Sequence, residues 1–321
     1  MTATAYKPPL PDDAVPEPKD LTRGVLASWT LPLKRFGGSY TKTLVAFRQC
    51  ALMRLPWFAK AADRAFLPVS GFVAMRKREL IDRGAPPELL ADFDRHAPQI
   101  IHSLVSGAWA VEKICVGFSK SVSRAVLENQ GWWRDFPCDW LLERYRAMSI
   151  YIAIPEDDLR DDFGGYLTGL TIREDGPALY FQYVHPSGMT LPEMYGEIPL
   201  RRGVKLGRIQ EVLRYDHFAF DVLAHKDELS AKPGEPPFRE RMTEAVRVSA
   251  AVVLPLLIAA LGDEFDRRCL DWHPSSDTAT ELGSNISFHQ PGMSDEEMLN
   301  AMSCGTVRIV EITKPTARDL N

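Results

Sequence analysis

Residues 149–185 read SIYIAIPEDDLRDDFGGYLTGLTIREDGPALYFQYVH and contain three runs typical of β-strands. The first run, residues 149–155, alternates with a period of two, which is the pattern of a strand. The second run covers residues 164–174, and the third is the aromatic run 178–185. An Asp-Gly pair, a strong hairpin signal, separates the last two. Because the turns are too short for a parallel crossover, we predict an antiparallel meander.

Helical patterns surround these strands. Apolar residues recur near helical spacing over residues 98–129, and a second long helix is expected over residues 238–268, with a kink at Pro255. Residues 186–203 look irregular, and residues 305–313 read as a final strand. We therefore predict an α+β fold with a helical N-terminal region and a small antiparallel sheet of three to five strands, flanked by long helices.

Composition divides the chain into three regions. Residues 1–20 contain five prolines and little apolar content, so we predict a disordered arm. Residues 19–83 carry 13 basic and four acidic residues, whereas the 321-residue chain as a whole has a net charge of −5. We expect a basic helical region over residues 21–135 and an α+β region over residues 136–321, which form one continuous core.

We do not expect this chain to be exported or inserted into a membrane. No apolar stretch follows a basic start, so we expect no secretory signal. The longest apolar run, residues 248–262, has 15 residues, which is short of the roughly 20 that span a bilayer. The five cysteines form no CxxC pair. We therefore expect a cytoplasmic protein with reduced thiols and no membrane partner.

Known catalytic and cofactor motifs are absent from the sequence. It contains no GxGxxG, GxSxG or HExxH pattern, and we predict no cofactor and no enzymatic activity. The densest acidic group lies within residues 156–162 and has two interpretations. Its carboxylates could hold a magnesium ion in a metal-dependent enzyme, or they form a solvated loop, which the flanking Pro155 and Gly164 favour.

One face of the predicted meander is a candidate partner-binding surface. If helices cover only the opposite face, this face exposes polar and aromatic side chains of the kind that anchor protein partners: Tyr151, Thr171, Arg173, Tyr180 and Gln182. A sheet covered on both faces would instead place the tyrosines in the core. The basic region 19–83 is a second candidate surface, for RNA or the translation machinery.

Several short motifs occur in a characteristic order. They are Gly107-Ala108-Trp109, the strand SIYIAIP, the turn Glu174-Asp175-Gly176 and the helical Leu254-Pro255-Leu256-Leu257. This order, over roughly residues 95–265, resembles the large anti-CRISPR proteins of the second type V-A family and their phage and plasmid relatives. Residues 270–321 depart from the family pattern, because Trp272, His273 and His289 are their only histidine and tryptophan residues.

The resemblance implies a non-enzymatic inhibitor encoded by a mobile element and acting in a bacterial host cell. Its partner would be a type V-A CRISPR effector nuclease or the nascent N-terminal peptide of that effector, whose production it would lower. Two alternatives stay open: a metal-dependent enzyme that uses residues 156–162, and an RNA- or ribosome-associated binding protein.

Overall fold

The structure of the chain, a computed structural model, describes residues 14–25, 66–67, 77–93, 109, 112–129, 131–147, 149–154, 164–173, 176–185, 190–211, 238–273 and 306–315. The described helices are α1 (18–25), α2 (77–82), α3 (87–93), α4 (Lys120–Glu128), α5 (Cys138–Arg144) and α6 (Phe238–Leu261), with 3₁₀ helices at Trp132–Asp135 and Leu206–Glu211. The strands are β1 (Phe66–Leu67), β2 (Ile114–Phe118), β3 (Ile150–Ala153), β4 (Gly165–Arg173), β5 (Gly176–Val184), β6 (Thr190–Pro199), β7 (Phe265–Trp272) and β8 (Val307–Pro315).

The strands form one mixed sheet. Hydrogen-bonded neighbours follow the order β6-β5-β4-β3-β2-β8-β7, and the two-residue β1 pairs with β4 beside this path. β2 runs parallel to both β3 and β8, and β1 runs parallel to β4. The other neighbouring pairs are antiparallel. The fold is α+β, but the prediction of a small antiparallel sheet with three to five strands is wrong, because the sheet is larger and contains parallel pairs.

The largest error in the predicted elements concerns residues 98–129, which were expected to form one helix. Trp109 and Glu112 are helical, but Lys113 has a φ of +51° and β2 begins directly after it. The Lys113 N–H donates to the Trp109 carbonyl at 2.6 Å. A left-handed residue bonded back to the last turn is a common way for a helix to end. The backbone at Lys113 therefore separates a helix from a strand.

The sequence of β2 explains why periodicity did not reveal this strand. Its five residues, ICVGF, contain no polar side chain, and a short apolar run fits a buried strand as well as a buried helix. α4 begins after Ser119, whose Oγ accepts a hydrogen bond from the Val122 N–H. This side-chain cap is the local signal that a new helix starts at residue 120.

Two further predicted elements are wrong. Residues 186–203, expected to be irregular, contain β6, which includes Pro192 and Gly196, residue types that are rare inside strands. Residues 238–268, expected to be one helix, contain both the end of α6 and the start of β7. The first half of β7, FDRR, lacks an alternating apolar pattern, so it resembled a charged helix end.

The predicted meander is confirmed. β4 pairs antiparallel with β3 on one side and with β5 on the other. Arg173 pairs with Gly176 at the end of the β4–β5 hairpin. Gly176 has a φ of +120°, which glycine adopts without a steric penalty. The predicted final strand is also confirmed, as β8.

The strand register assigns each side chain to one of two faces of the sheet. Paired residues point to the same side, and the first face carries Cys115, Tyr151, Leu167 and Gln182 on four neighbouring strands. The second face lies against α6, which contacts β3, β6 and β8 and also packs on α4. A Cβ on Gly196 would lie 2.7 Å from the Val246 side chain of α6. No helix in the described part of the chain is long and apolar enough to cross a membrane.

The first face lies against α1 where it crosses β2 and β3. A Cβ on Gly117 would lie only 2.6 Å from Cδ1 of Leu21, so the glycine makes room for this helix. The Cys115 thiol donates to the Leu21 carbonyl at 3.8 Å. The expectation of a disordered arm therefore does not hold for residues 14–20, which lead into this packed helix, and residues 1–13 lie outside the described part of the chain.

One core joins the regions that composition had separated. The cluster of buried hydrophobic residues extends from Leu21 to Ile312. β2 belongs to the expected helical region 21–135, yet it lies between β3 and β8 of the expected α+β region 136–321. Both regions therefore contribute strands to the same sheet.

Substitution of Leu21 tests whether α1 is part of this core. Leu21 has 1% exposure and Leu89, on α3, has 45%. We expect Leu21→Ala to lower the free energy of unfolding by about 2–4 kcal/mol, and Leu89→Ala to lower it by less than about 0.5 kcal/mol. Urea denaturation followed by circular dichroism measures both. Equal, small effects of the two substitutions would show that α1 does not pack on β2.

Candidate functional site

The candidate partner-binding residues whose side chains are described are buried. Tyr151 and Tyr180 have 0% exposure and Gln182 has 4%. Thr171 and Arg173 belong to β4, but their side chains lie outside the described part of the structure. The sheet is therefore covered at Tyr151, Tyr180 and Gln182. The expectation that this face is open and binds a partner is wrong at these three positions.

Two of these buried residues, Tyr180 and Gln182, belong to a group of polar side chains on the first face of the sheet. The Tyr180 hydroxyl donates to Oε1 of Gln182 at 2.5 Å. Glu197 on β6 is the register partner of Tyr180 and has 3% exposure. Buried polar atoms destabilise a fold unless they are hydrogen-bonded, so the Tyr180–Gln182 bond supports the fold and is not offered to a partner.

The Tyr151 hydroxyl is a contrasting case on the same face. It is buried and has no hydrogen-bond partner among the residues that the structure describes. Burial raises the pKa of Tyr151 well above its ordinary value, with smaller contributions from nearby Cys115 and Tyr183. Tyr151 therefore stays neutral at physiological pH. A Cβ on Gly24 of α1 would lie 2.8 Å from this hydroxyl, so the Tyr151 side chain packs directly against α1.

Nothing in the described structure supports a metal centre. Among the residues that the structure describes, no group of three or more histidine, cysteine, aspartate or glutamate side chains could hold a metal ion. The predicted acidic group, residues 156–162, lies outside those residues. The metal-dependent enzyme therefore stays an untested prediction.

The described cysteines are free thiols in two environments. Cys115 and Cys138 are buried, whereas Cys269 on β7 is exposed. Burial raises the pKa of the Cys115 thiol far above its ordinary value, and it raises the pKa of Cys138 as well. Because the thiolate is the reactive form, neither buried cysteine is suited to act as a nucleophile. Cys50 lies outside the described residues.

Among the side chains of the sheet that the structure describes, those of β7, at one end of the strand order, are the most exposed. It pairs with β8 over Arg267–Trp272, and no described strand pairs with its outer edge. Four consecutive residues, 266–269, are exposed. Because neighbouring side chains in a strand point to opposite faces, both faces of β7 are open to solvent at this position.

The chemistry of this edge suits an extended peptide. Alternate residues of an antiparallel edge strand direct their N–H and C=O groups away from the sheet, and a peptide strand can bond to them. The exposed side chains include charges of both signs, Asp266, Arg267, Arg268 and Asp271. Only Arg268 has a described ion-pair partner, Glu311, at 3.9 Å. These charges disfavour self-association of the edge and could select a complementary peptide.

Sequence reasoning missed this edge because residues 238–268 were interpreted as one helix. The available signal was Gly262, which follows the long apolar run, together with the aromatic residues Phe265 and Trp272 at the two ends of the segment. A glycine after the last periodic residue commonly ends a helix. Aromatic residues are enriched in strands.

Comparisons with models of known protein families, with curated proteins and with solved structures gave no match.

A pair of tyrosine substitutions tests the buried polar group. Tyr180→Phe removes the donor to Gln182, and we expect the free energy of unfolding to fall by about 1–2 kcal/mol. Tyr151→Phe removes a buried hydroxyl that has no hydrogen-bond partner in the described part of the chain, so we expect no loss of stability or a small gain. Urea denaturation of both variants measures the difference. Equal losses in the two variants would contradict the assigned hydrogen bonding.

Proposed function

We propose that the chain is a non-enzymatic inhibitor that binds a type V-A CRISPR effector, or the nascent N-terminal peptide of that effector, and lowers its production. It acts in the cytoplasm of a bacterial host cell, as a product of a mobile element. The resemblance over residues 95–265 supports the type of target. The accessible edge of β7 is the structural observation that carries the proposal, because it supplies a place where an extended peptide can bind.

The mode of binding follows from the geometry of β7. A peptide would add a strand next to β7, with main-chain hydrogen bonds supplying affinity and alternate side chains supplying specificity. The exposed pair Arg267 and Arg268 would favour acidic peptide positions, and Asp266 and Asp271 would favour basic ones. The fold stays intact during such binding, since the partner only extends an existing sheet.

Co-expression with a type V-A effector tests the function. We expect the effector to co-purify with the tagged chain and its cellular level to fall. An effector of another CRISPR type, expressed from the same promoter, serves as the control and should keep its level. If the type V-A effector neither co-purifies nor declines, the proposed target is wrong.

Proline substitutions at two adjacent positions test the edge of β7. Of Arg268 and Cys269, one directs its N–H to β8 and the other to the open edge. Proline at the inward position breaks the β7–β8 pairing and should lower stability. Proline at the outward position should keep the unfolding midpoint but weaken effector-peptide binding about tenfold, since it removes one hydrogen bond of about 1.4 kcal/mol.

Isothermal titration calorimetry with the N-terminal effector peptide measures this binding. Thermal unfolding identifies the outward position as the one at which proline leaves the unfolding midpoint unchanged. Unchanged peptide affinity in the stable variant would exclude the β7 edge as the binding site.

A further inference from the structure

A second surface, formed by residues that do not belong to β7, has a different chemistry. Residues 131–146 and 201–208 are held together by backbone hydrogen bonds. The Cys138 N–H donates to the Val204 carbonyl at 2.9 Å, and the Leu206 N–H donates to the Phe136 carbonyl at 2.8 Å. The Gly203 N–H donates to Oδ2 of Asp139 at 2.7 Å. We call the surface of these two segments the basic patch.

The basic patch has an excess of positive charge. Its exposed cations are Arg134, Arg144, Arg146, Arg201, Arg202, Lys205 and Arg208, and its acids are Asp135, Asp139 and Glu143. Seven cations against three acids contrast with the net charge of −5 for the whole chain. This excess is therefore a local property of the patch, which creates a positive potential on an acidic protein.

Ion pairs neutralise only part of this charge. Lys205 contacts Asp135 at 2.7 Å, and this contact lowers the pKa of the Asp135 carboxyl through a hydrogen bond and charge attraction. Arg202 lies 3.8 Å from Asp139, and Arg144 lies 2.9 Å from Asp263, an acid outside the two segments. Within the described part of the chain, Arg201 and Arg208 form no ion pair, so both are available to bind an external anion.

The segment 131–146 of the basic patch also carries aromatic side chains. Trp132, Phe136 and Trp140 are each partly exposed. Phe136 makes edge-to-face contacts with Trp132, at 5.6 Å between ring centroids, and with Trp140, at 4.9 Å. The guanidinium of Arg144 lies 5.8 Å from the Trp140 ring centroid. These contacts hold the three rings against one another and place Trp140 beside Arg144.

We propose that the basic patch binds single-stranded nucleic acid. Arginines would contact the phosphates, and the exposed parts of the tryptophan rings would contact unpaired bases. Positive charge combined with aromatic side chains is the arrangement by which proteins bind single strands without reading their sequence. Binding of an acidic protein would require the positive charges of the patch but not its row of aromatic rings. This proposal is independent of peptide binding at β7, because the two surfaces share no residue.

Fluorescence anisotropy with labelled oligo(U) RNA and oligo(dT) DNA of about 12 nucleotides tests the proposal. We expect both to bind, with affinity that falls as salt is raised from about 50 to 200 mM. Arg201→Glu combined with Arg208→Glu should weaken binding about tenfold. It should also lower the slope of log K against log salt by about 1.4, because each phosphate contact to a single strand contributes about 0.7.

The matched control reverses two exposed arginines outside both the patch and the basic region 19–83, one on α4 and one on α6. Arg124→Glu combined with Arg247→Glu changes the net charge by the same amount and should leave affinity within about twofold, while thermal unfolding shows that both double variants are folded. Equal losses in the two variants would show that only overall charge matters, and the patch assignment would be wrong.

Polyglutamate of matched charge separates nucleic acid from an acidic protein partner. We expect it to compete at least about tenfold more weakly than the oligonucleotides, because it offers no bases to the tryptophan rings. If polyglutamate competes as well as RNA and DNA do, the patch is an acidic-protein site and the proposal is overturned.

Discussion

β2 hydrogen-bonds along both of its edges, to β3 and to β8, and both pairings are parallel. Parallel neighbours cannot be joined by a tight turn, so the chain must leave the sheet between β2 and β3. It does so through α4, the 3₁₀ helix Trp132–Asp135 and α5. The first segment of the basic patch, residues 131–146, therefore lies in the connection that the parallel pairing of β2 and β3 requires.

The central strands also require close packing on both faces. On the first face, Gly117 allows α1 to approach β2. On the second face, the Tyr145 hydroxyl lies 3.1 Å from Oγ1 of Thr168, and Thr168 donates in turn to the Ile150 carbonyl at 3.1 Å. Hydrogen bonds among buried polar groups fix the relative positions of the elements that carry them. This series of two hydrogen bonds therefore joins the end of α5 to β3 and β4.

The sequence predicted the parts of the fold that have local signals. The strands of the meander and β8 alternate or carry aromatic residues, and the Asp-Gly turn fixes one hairpin. β2 lacks such a signal because ICVGF is uniformly apolar, and β6 is concealed by Pro192 and Gly196. The covering of the first face depends on residues distant in sequence, such as Leu21, so alternation alone could group Tyr151, Tyr180 and Gln182 but could not show that they are buried.

The strand assignment of residues 114–118 is the claim on which the topology depends, and amide-to-amide nuclear Overhauser effects measure it directly in a deuterated sample. The structure predicts contacts from β2 amide protons to those of β3 on one side and of β8 on the other, with weak sequential amide contacts within β2. Strong sequential amide contacts throughout residues 109–128, without contacts to β3 or β8, would show a continuous helix and contradict the fold.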